Sequence, residues 1–197
     1  MDGTVSPRRA TSADIDTVIT IIGLAFRDDP IWSRALHSLN DAQRRPFWQL
    51  FAEAAVPHQW TWLLDNGSAA ALWIPPGETE MTPEQEERMS ELASGLGAEA
   101  DSFRELGRRF DAAHPRAEPH YYLSLLGTHP DHRGKGLGMR LLAANLAMID
   151  EEHSAAYLES SNPANNRRYA SVGFERVGEF AYPGDGPVVT TMWRPAR

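Results

Sequence analysis

Three glycines at alternate positions, Gly134, Gly136 and Gly138, are flanked by two cations, Arg133 and Lys135. They stand between a short apolar run and a long segment with an apolar stripe, a pattern that predicts a strand, a loop and a helix. The first turn of a helix presents unpaired backbone N–H groups and the positive end of the helix dipole, and both attract anions. Glycine carries no Cβ atom, so an anion can come close to those groups. The stretch therefore predicts a site for a phosphate or a diphosphate.

The spacing of the glycines excludes two common phosphate-binding motifs. A phosphate-loop ATPase needs Gly, four residues, Gly-Lys and then Ser or Thr, but Gly136 follows Lys135 and His129 occupies the first glycine position. A dinucleotide fingerprint needs G-x-G-x-x-G, and Met139 occupies its third glycine position. A plain strand-to-helix turn would leave the three glycines and the two cations unexplained.

The motif that fits is Arg133-x-x-Gly136-x-Gly138, which follows the turn at 129–132. It resembles the signature of the GNAT superfamily of N-acetyltransferases, in which a strand and V-x-P precede [R/Q]-x-x-G-x-[G/A] at a helix start. Thr128 stands where that family usually has Val, a side chain of nearly the same shape. The resemblance implies acetyl-coenzyme A as co-substrate, with its pyrophosphate on the loop and its pantetheine arm beside the end of the strand. The implied pyrophosphate residues are Arg133, Gly134, Lys135, Gly136, Leu137 and Gly138, and the implied pantetheine residues are Leu126, Gly127 and Thr128.

A second motif, Asn162-x-x-Asn165-x-x-x-Tyr169-x-x-x-Gly173-Phe174, resembles the GNAT segment in which an Asn contacts the pantetheine arm. The resemblance implies cofactor contacts for Asn162 and Asn165, and a catalytic role for Tyr169 as proton donor to the departing thiolate. A phenol has a pKa of about 10 and a thiol one of about 8.5, so the phenol can hydrogen-bond a thiolate or protonate it slightly uphill. The alternative, that Tyr169 only packs, stays open.

Glu159 is the candidate general base, because an acceptor amine must lose a proton before it attacks. It is a carboxylate in the otherwise apolar strand predicted at 155–161, where an ionised group costs free energy unless it is paired or used. His120 and Tyr121, at the head of the preceding strand, are rivals. A structural carboxylate paired with an arginine is an equal alternative.

The sequence gives little support for a cysteine, metal or serine catalytic centre. The chain has no cysteine, which excludes disulfides, zinc–thiolate sites and a cysteine nucleophile. His129 and His132 flank a proline and have no third ligand nearby, so we interpret them as turn histidines and expect no metal. No G-x-S-x-G elbow indicates a serine nucleophile.

Length and charge limit the function further. A chain of 197 residues suits a single domain over 1–197, with a helical insertion at about 78–119 that acts as a lid or a structural cover. A net charge of −8 argues against nucleic-acid partners and suits a cationic substrate such as an amine, although solubility would also explain it. No apolar run or leader indicates a membrane partner, so we expect a cytoplasmic protein.

The order of the predicted strands and helices, together with the GNAT resemblance, predicts an α/β (α+β) fold of the GNAT type. It is a mixed, mostly antiparallel central sheet flanked by helices. Residues 65–68, with Asn-Gly inside them, predict a hairpin turn. Asp29-Pro30 predicts the end of the first helix. The predicted strands are 7–11, 59–64, 69–74, 121–126, 155–161, 174–182 and 188–194, and the predicted helices are 12–29, 42–55, 134–152 and 163–171.

Within the superfamily, the runs at 120–127, 133–138 and 157–161 are similar to those of the puromycin N-acetyltransferase branch. That similarity implies a small-molecule amine as acceptor. The leading hypothesis is that a primary amine attacks the thioester of acetyl-coenzyme A directly and takes its acetyl group. A coenzyme A-binding sensor without transferase activity and a peptide or protein amino-terminal acetyltransferase remain alternatives. A homodimer is also compatible with the sequence.

Overall fold

A computed structural model describes residues 6–64 and 67–197. Within these residues seven strands form one sheet in the order β1-β2-β3-β4-β5-β7-β6. Every neighbouring pair is antiparallel except β4 and β5, which are parallel. The mixed, mostly antiparallel sheet predicted from the sequence is confirmed. The strands are β1 Pro7–Arg9, β2 Thr61–Leu64, β3 Ala69–Ile74, β4 His120–Thr128, β5 Ala155–Ser160, β6 Glu175–Ala181 and β7 Val188–Arg194.

Helices cover both faces of the sheet. Successive side chains of β3 point to opposite faces, so Ala70 and Leu72 join one buried cluster while Ala71 and Trp73 join the other. The first cluster includes residues of α1, α3, α4 and α5, and the second includes the apolar stripe of α6. The helices are α1 Ile15–Ala25, α2 Pro30–Ala35, α3 Asp41–Ala55, α4 Pro83–Ser94, α5 Ala100–Ala113, α6 Leu137–Glu151 and α7 Asn166–Ala170.

Most predicted elements are confirmed, with boundaries shifted by a few residues. Residues 65 and 66 of the predicted hairpin turn lie outside the described residues, but β2 and β3 pair antiparallel through Leu63 and Ala70, as a hairpin requires. The predicted insertion contains α4 and α5. No helix in the described parts of the chain has the length and apolar character needed to cross a membrane.

The interpretation of Asp29-Pro30 as a helix end is wrong. Helix α1 already ends at Ala25, and Asp29 caps a further short helix, α2, with Pro30 at its first position. Proline suits that position because its fixed φ is helical and its missing N–H would be unpaired there anyway. Asp29-Pro30 thus begins the helix α2, which the sequence analysis does not predict.

Two irregularities of β4 create an opening in the sheet. Its register against β3 shifts between Leu72 and Trp73, which pair with Leu125 and Leu123, so Ser124 is an extra residue in a bulge. Its pairing with β5 runs only from His120 to Leu123 among the described residues. Beyond that point β4 and β5 separate, and their free edges border a cleft.

Candidate functional site

The cleft between β4 and β5 has a volume of about 1570 Å³. Ordinary ligand pockets measure about 300–1,000 Å³, so the cleft has room for two substrates side by side. One end is bordered by the glycine loop and the start of α6, and the other by α2, α4 and α5. Predicted site residues that line it are Leu126, Thr128, Arg133, Gly134, Gly136, Leu137, Gly138, Glu159, Asn162, Asn165 and Tyr169.

The glycine loop depends on glycine at defined positions. Gly134 and Gly136 have φ angles of 78° and 69°, in the left-handed region that other residues rarely adopt. Gly136 is the N-cap of α6, which begins at Leu137. A Cβ atom on Gly138 would lie 2.6 Å from Thr128 Oγ1, so glycine here lets α6 pack closely on β4. The loop therefore brings the first turn of α6, with its unpaired N–H groups, to the cleft.

The two predicted cations lie in different places. Arg133 lines the cleft and donates a hydrogen bond of 3.0 Å to the carbonyl oxygen of Ala25, at the end of α1. Lys135 is exposed and is not part of the cleft lining. Gly127 also lies outside the lining, because its Cα faces α1, where a Cβ would approach Ala25 Cβ to 2.9 Å.

Tyr169 lies on α7 at the edge of the cleft. Its ring packs edge-on against Phe174 at 6.3 Å, and its carbonyl accepts a hydrogen bond from the backbone N–H of Phe174. The turn between them is closed by Gly173 at φ 98°. Burial, with a smaller contribution from the charge of Asp29, raises the pKa of Tyr169 to about 12. The phenol is protonated at neutral pH, which is the state a hydrogen donor needs.

Asp29 is a site residue that the sequence analysis missed. Its Oδ1 accepts hydrogen bonds from the N–H groups of Ile31 and Trp32, and its Oδ2 accepts one of 2.7 Å from the Ser161 hydroxyl. It thereby joins the start of α2 to the end of β5. Burial raises the pKa of Asp29. Asp followed by Pro is also the pattern of a helix N-cap and first helical position, and this is the signal that indicates Asp29.

Glu159 lies deep in the cleft with a side chain that is 2% exposed. Its Oε1 is 3.8 Å from Nδ1 of His114, and its Oε2 is buried with no hydrogen-bond partner among the described residues. The groups beside Glu159 are the imidazole of His114 and the hydroxyls of Tyr122 and Tyr157, and no arginine pairs with it in the described residues. A buried carboxylate oxygen without a donor marks a place where a ligand can bind.

Glu80 is a further carboxylate of the cleft, and the sequence analysis missed it. It follows β3 in an irregular segment, and it accepts a hydrogen bond from the hydroxyl of Ser124 in the β4 bulge. Burial and the nearby charge of Glu159 raise the pKa of Glu80 to about 7, although the Ser124 bond opposes the rise. No periodicity marks this residue, because a bulge and a loop, not regular structure, bring Glu80 to the site.

Two histidines lie next to the carboxylates. Nε2 of His120 is 3.2 Å from Nε2 of His114, and Nδ1 of His120 donates to the carbonyl of Glu118 at 2.7 Å. Burial lowers the pKa of His120. Neutral His120 therefore accepts at Nε2 from His114, whose Nδ1 faces Glu159. Both ring nitrogens of His120 are engaged, which makes it a poor base.

Tyr121, the other rival base, is ruled out by its direction. Its hydroxyl donates a 2.6 Å hydrogen bond to Glu152 at the end of α6, and its ring packs 4.4 Å from Trp60 on the opposite face of the sheet. Two of the acidic residues at the end of α6 therefore have partners. Glu152 accepts from Tyr121, and the two oxygens of Asp150 accept hydrogen bonds of 2.6 and 2.7 Å from the guanidinium of Arg194.

The end of the cleft beyond the carboxylates has apolar and aromatic walls. The rings of Trp32 and Phe110 are stacked 6.4 Å apart, and Phe51 contacts Trp32 edge-on at 5.9 Å. Met89 and Leu106 complete these walls from α4 and α5. His129 and His132 lie outside this end, in the turn before the glycine loop, and no group of three or more metal-ligating side chains occurs in the described segments.

Comparison with known proteins identifies the fold. Residues 101–176 match the family model described as Acetyltransferase (GNAT) domain. Arylalkylamine N-acetyltransferase 2 from Aedes aegypti superimposes with a TM-score of 0.75 at 14% identity, covering 99% of this chain and 100% of that chain. A protein described as histone acetyltransferase HPA2 and related acetyltransferase, from Corynebacterium glutamicum, gives a TM-score of 0.67 at 22% identity, covering 98% and 96%. The polyamine N-acetyltransferase of Drosophila melanogaster gives 0.61 at 18% identity, covering 96% and 99%.

These matches show the fold of the protein. The likeness to the solved structures shows a GNAT-type fold. The segment at 101–176, which contains the glycine loop and Tyr169, is similar to the GNAT acetyltransferase domain. The resemblance to the puromycin N-acetyltransferase branch finds no counterpart among these proteins.

Proposed function

We propose that the protein transfers an acetyl group from acetyl-coenzyme A to a primary amine of a small molecule by direct attack. The observation that carries the proposal is the cleft itself, which runs from the glycine loop past Tyr169 to the carboxylates Glu80 and Glu159. An anion site at one end and a carboxylate site at the other suit a co-substrate with a diphosphate and an acceptor with an ammonium group.

The residues of the loop fit coenzyme A. Gly134 and Gly136 leave the first-turn N–H groups of α6 open to a diphosphate, and Arg133 adds a cation within the cleft lining. The free edges of β4 and β5 beyond Leu123 and Leu158 offer backbone groups to a pantetheine arm. Bound acetyl-coenzyme A would supply an activated acetyl group. Tyr169, as a protonated phenol, would donate a hydrogen bond or a proton to the leaving thiolate.

The structural neighbours support an amine as acceptor, since they include arylalkylamine, agmatine and polyamine N-acetyltransferases. The small-molecule branch inferred from the sequence points the same way. An amine also matches the two carboxylates at the floor of the cleft.

The test is to mix the protein with acetyl-coenzyme A and a panel of amines and peptides, and to follow the release of free thiol. We expect release with small primary amines. Binding of coenzyme A without thiol release from any acceptor would instead support the sensor function, and release with peptides alone would support an amino-terminal acetyltransferase.

A further inference from the structure

Glu80 and Glu159 come from different elements, and both line the cleft. Glu80 belongs to the segment between β3 and α4, Glu159 to β5, and each carboxylate interacts electrostatically with the other. In the described parts of the chain neither forms an ion pair with Lys or Arg. Two carboxylates in a partly desolvated site repel each other unless a proton or a cation lies between them.

The hydrogen bonds of the pair are incomplete in a way that suits a donor ligand. Ser124 donates to one oxygen of Glu80, while the buried Oε2 of Glu159 has no partner among the described residues. Carboxylates only accept hydrogen bonds, and a primary ammonium group offers three donors and a positive charge. One ammonium group would therefore meet both the charge and the hydrogen-bond requirements of the site.

The walls next to the pair indicate what the ammonium is attached to. Trp32 contacts both Phe51 and Phe110 at the cleft, and Met89 and Leu106 add apolar surface. Such walls bind an apolar or aromatic body and would gain little from a short polar one.

We propose that Glu80 and Glu159 together bind the ammonium group of an amine with an apolar, aromatic body, and that Glu80 removes its proton before attack. The proposal deepens the proposed function and rests on it. In the step, one N–H bond of the ammonium breaks, its electron pair stays on nitrogen, and the proton goes to a Glu80 oxygen. The neutral nitrogen then forms the C–N bond as the C–S bond breaks. The departing sulfur takes its proton from Tyr169 or water. The new amide nitrogen loses its remaining extra proton to water, and a Tyr169 phenolate regains a proton from solvent.

The groups that face Glu80 decide its protonation. They are Glu159 on β5, His114 at the end of α5, and Tyr122 and Ser124 on β4. Burial and Glu159 raise the pKa of Glu80 to about 7, whereas His114 and Ser124 act in the opposite direction. Tyr122 stays a neutral phenol because burial raises its pKa well above the usual range. Near neutral pH the free site therefore holds a proton part of the time, and ammonium binding should release it.

The test measures amine binding with saturating coenzyme A, which carries no acetyl group to transfer. The probe is 2-phenylethylamine, with methylamine as the acceptor that lacks an apolar body. Isothermal titration in two buffers of different ionisation enthalpy counts the protons released on binding. The variants are Glu80→Gln and Glu159→Gln, and Glu87→Gln on the exposed face of α4 is the matched control.

We expect the wild type and Glu87→Gln to bind 2-phenylethylamine more tightly than methylamine and to release protons at pH 7. Glu80→Gln and Glu159→Gln should each bind about tenfold or more weakly, since each loses one charged partner. Only Glu80→Gln should also lose the acidic limb of the pH profile of kcat/KM, which lies near pH 7 in the wild type.

Three results would overturn the inference. They are an unchanged affinity in both variants, a pH profile of Glu80→Gln equal to that of the wild type, and tighter binding of methylamine than of 2-phenylethylamine. Failure of the proposed function looks different. Binding and proton release would then follow the expected pattern, while acetyl-coenzyme A gives no thiol release.

Discussion

Tyr169 and Glu80 divide the chemistry of the cleft between them at the scale of single residues. Burial raises the pKa of both side chains, and the consequences are opposite. The pKa of the Tyr169 phenol moves further above neutral pH, so the phenol keeps its proton, which suits a donor. The pKa of the Glu80 carboxyl moves toward neutral pH, which suits a proton acceptor that must also release the proton again.

Replacing Tyr169 by Phe removes the donor and little else, because the ring keeps its contact with Phe174. We expect kcat to fall by about 10²–10⁴-fold, the usual contribution of a positioned proton donor, with unchanged affinity for coenzyme A. Steady-state kinetics and a titration with coenzyme A measure the two quantities. Tyr182→Phe, buried outside the cleft, is the control. Unchanged turnover with a saturating amine would leave Tyr169 as a packing residue.

Asp29 influences that donor through its charge. Its carboxylate is one cause of the raised pKa of Tyr169, so Asp29→Asn should move that pKa from about 12 toward the usual value for tyrosine. Asparagine can still cap α2. Ultraviolet difference titration of Asp29→Asn, compared with Asp29→Asn combined with Tyr169→Phe, isolates this one phenol. A pKa for Tyr169 equal to that of the wild type would mean that the Asp29 charge is screened from it.

At the scale of elements, the junction of α6 with β7 depends on one ion pair. Arg194 is 3% exposed and grips Asp150 with two hydrogen bonds, and this arginine holds the pKa of Asp150 below its usual range. A carboxyl whose pKa is lower in the folded state than in the unfolded state stabilises the fold at pH values above its unfolded-state pKa. That stabilisation is lost as the pH falls through its folded-state pKa. The last turn of α6 therefore becomes acid-labile.

Asp150→Asn should lower the free energy of unfolding at pH 7 by about 2 kcal/mol, because it leaves the buried guanidinium of Arg194 without its anion. The loss is smaller than for a fully buried pair, because the Asp150 side chain is partly exposed to solvent. Urea denaturation at pH 7 and pH 3 measures the effect. The difference between variant and wild type should shrink at pH 3, where Asp150 of the unfolded chain is protonated. Glu151→Gln, exposed one residue later, should match the wild type at both values.

The sequence predicts elements well where periodicity or capping chemistry is strong. Strand 69–74 and the cap at Asn162, whose side chain accepts from the N–H of Ala164, are present as expected. The cleft is less predictable because irregular backbone builds it. The bulge at Ser124 and the loop that carries Glu80 depend on pairing between strands distant in sequence, and no local pattern reports that pairing.

At the scale of the whole molecule, the question is whether the insertion is a lid or a fixed wall. Helices α4 and α5 lie between β3 and β4 and form one side of the cleft. Phe103 of α5 packs edge-on against Phe47 of α3 at 5.5 Å, and Leu106 is buried in the same cluster. Arg109 donates to the carbonyl of Ala181 on β6 at 2.8 Å. These contacts fasten the insertion to both α3 and the sheet.

We therefore expect hydrogen exchange in 100–113 to be as slow as in 41–55, because opening α5 would expose the buried face that Phe103 and Leu106 share with α3. Mass spectrometry of exchanged peptides, with and without coenzyme A, measures this. Residues 83–94 have one buried side chain, Ala93, and should exchange faster, so α4 is the internal comparison. Fast exchange over both helices that slows when coenzyme A binds would instead identify a lid. In that case the apolar walls of the acceptor site would form only after the co-substrate has bound, and amine affinity would depend on coenzyme A.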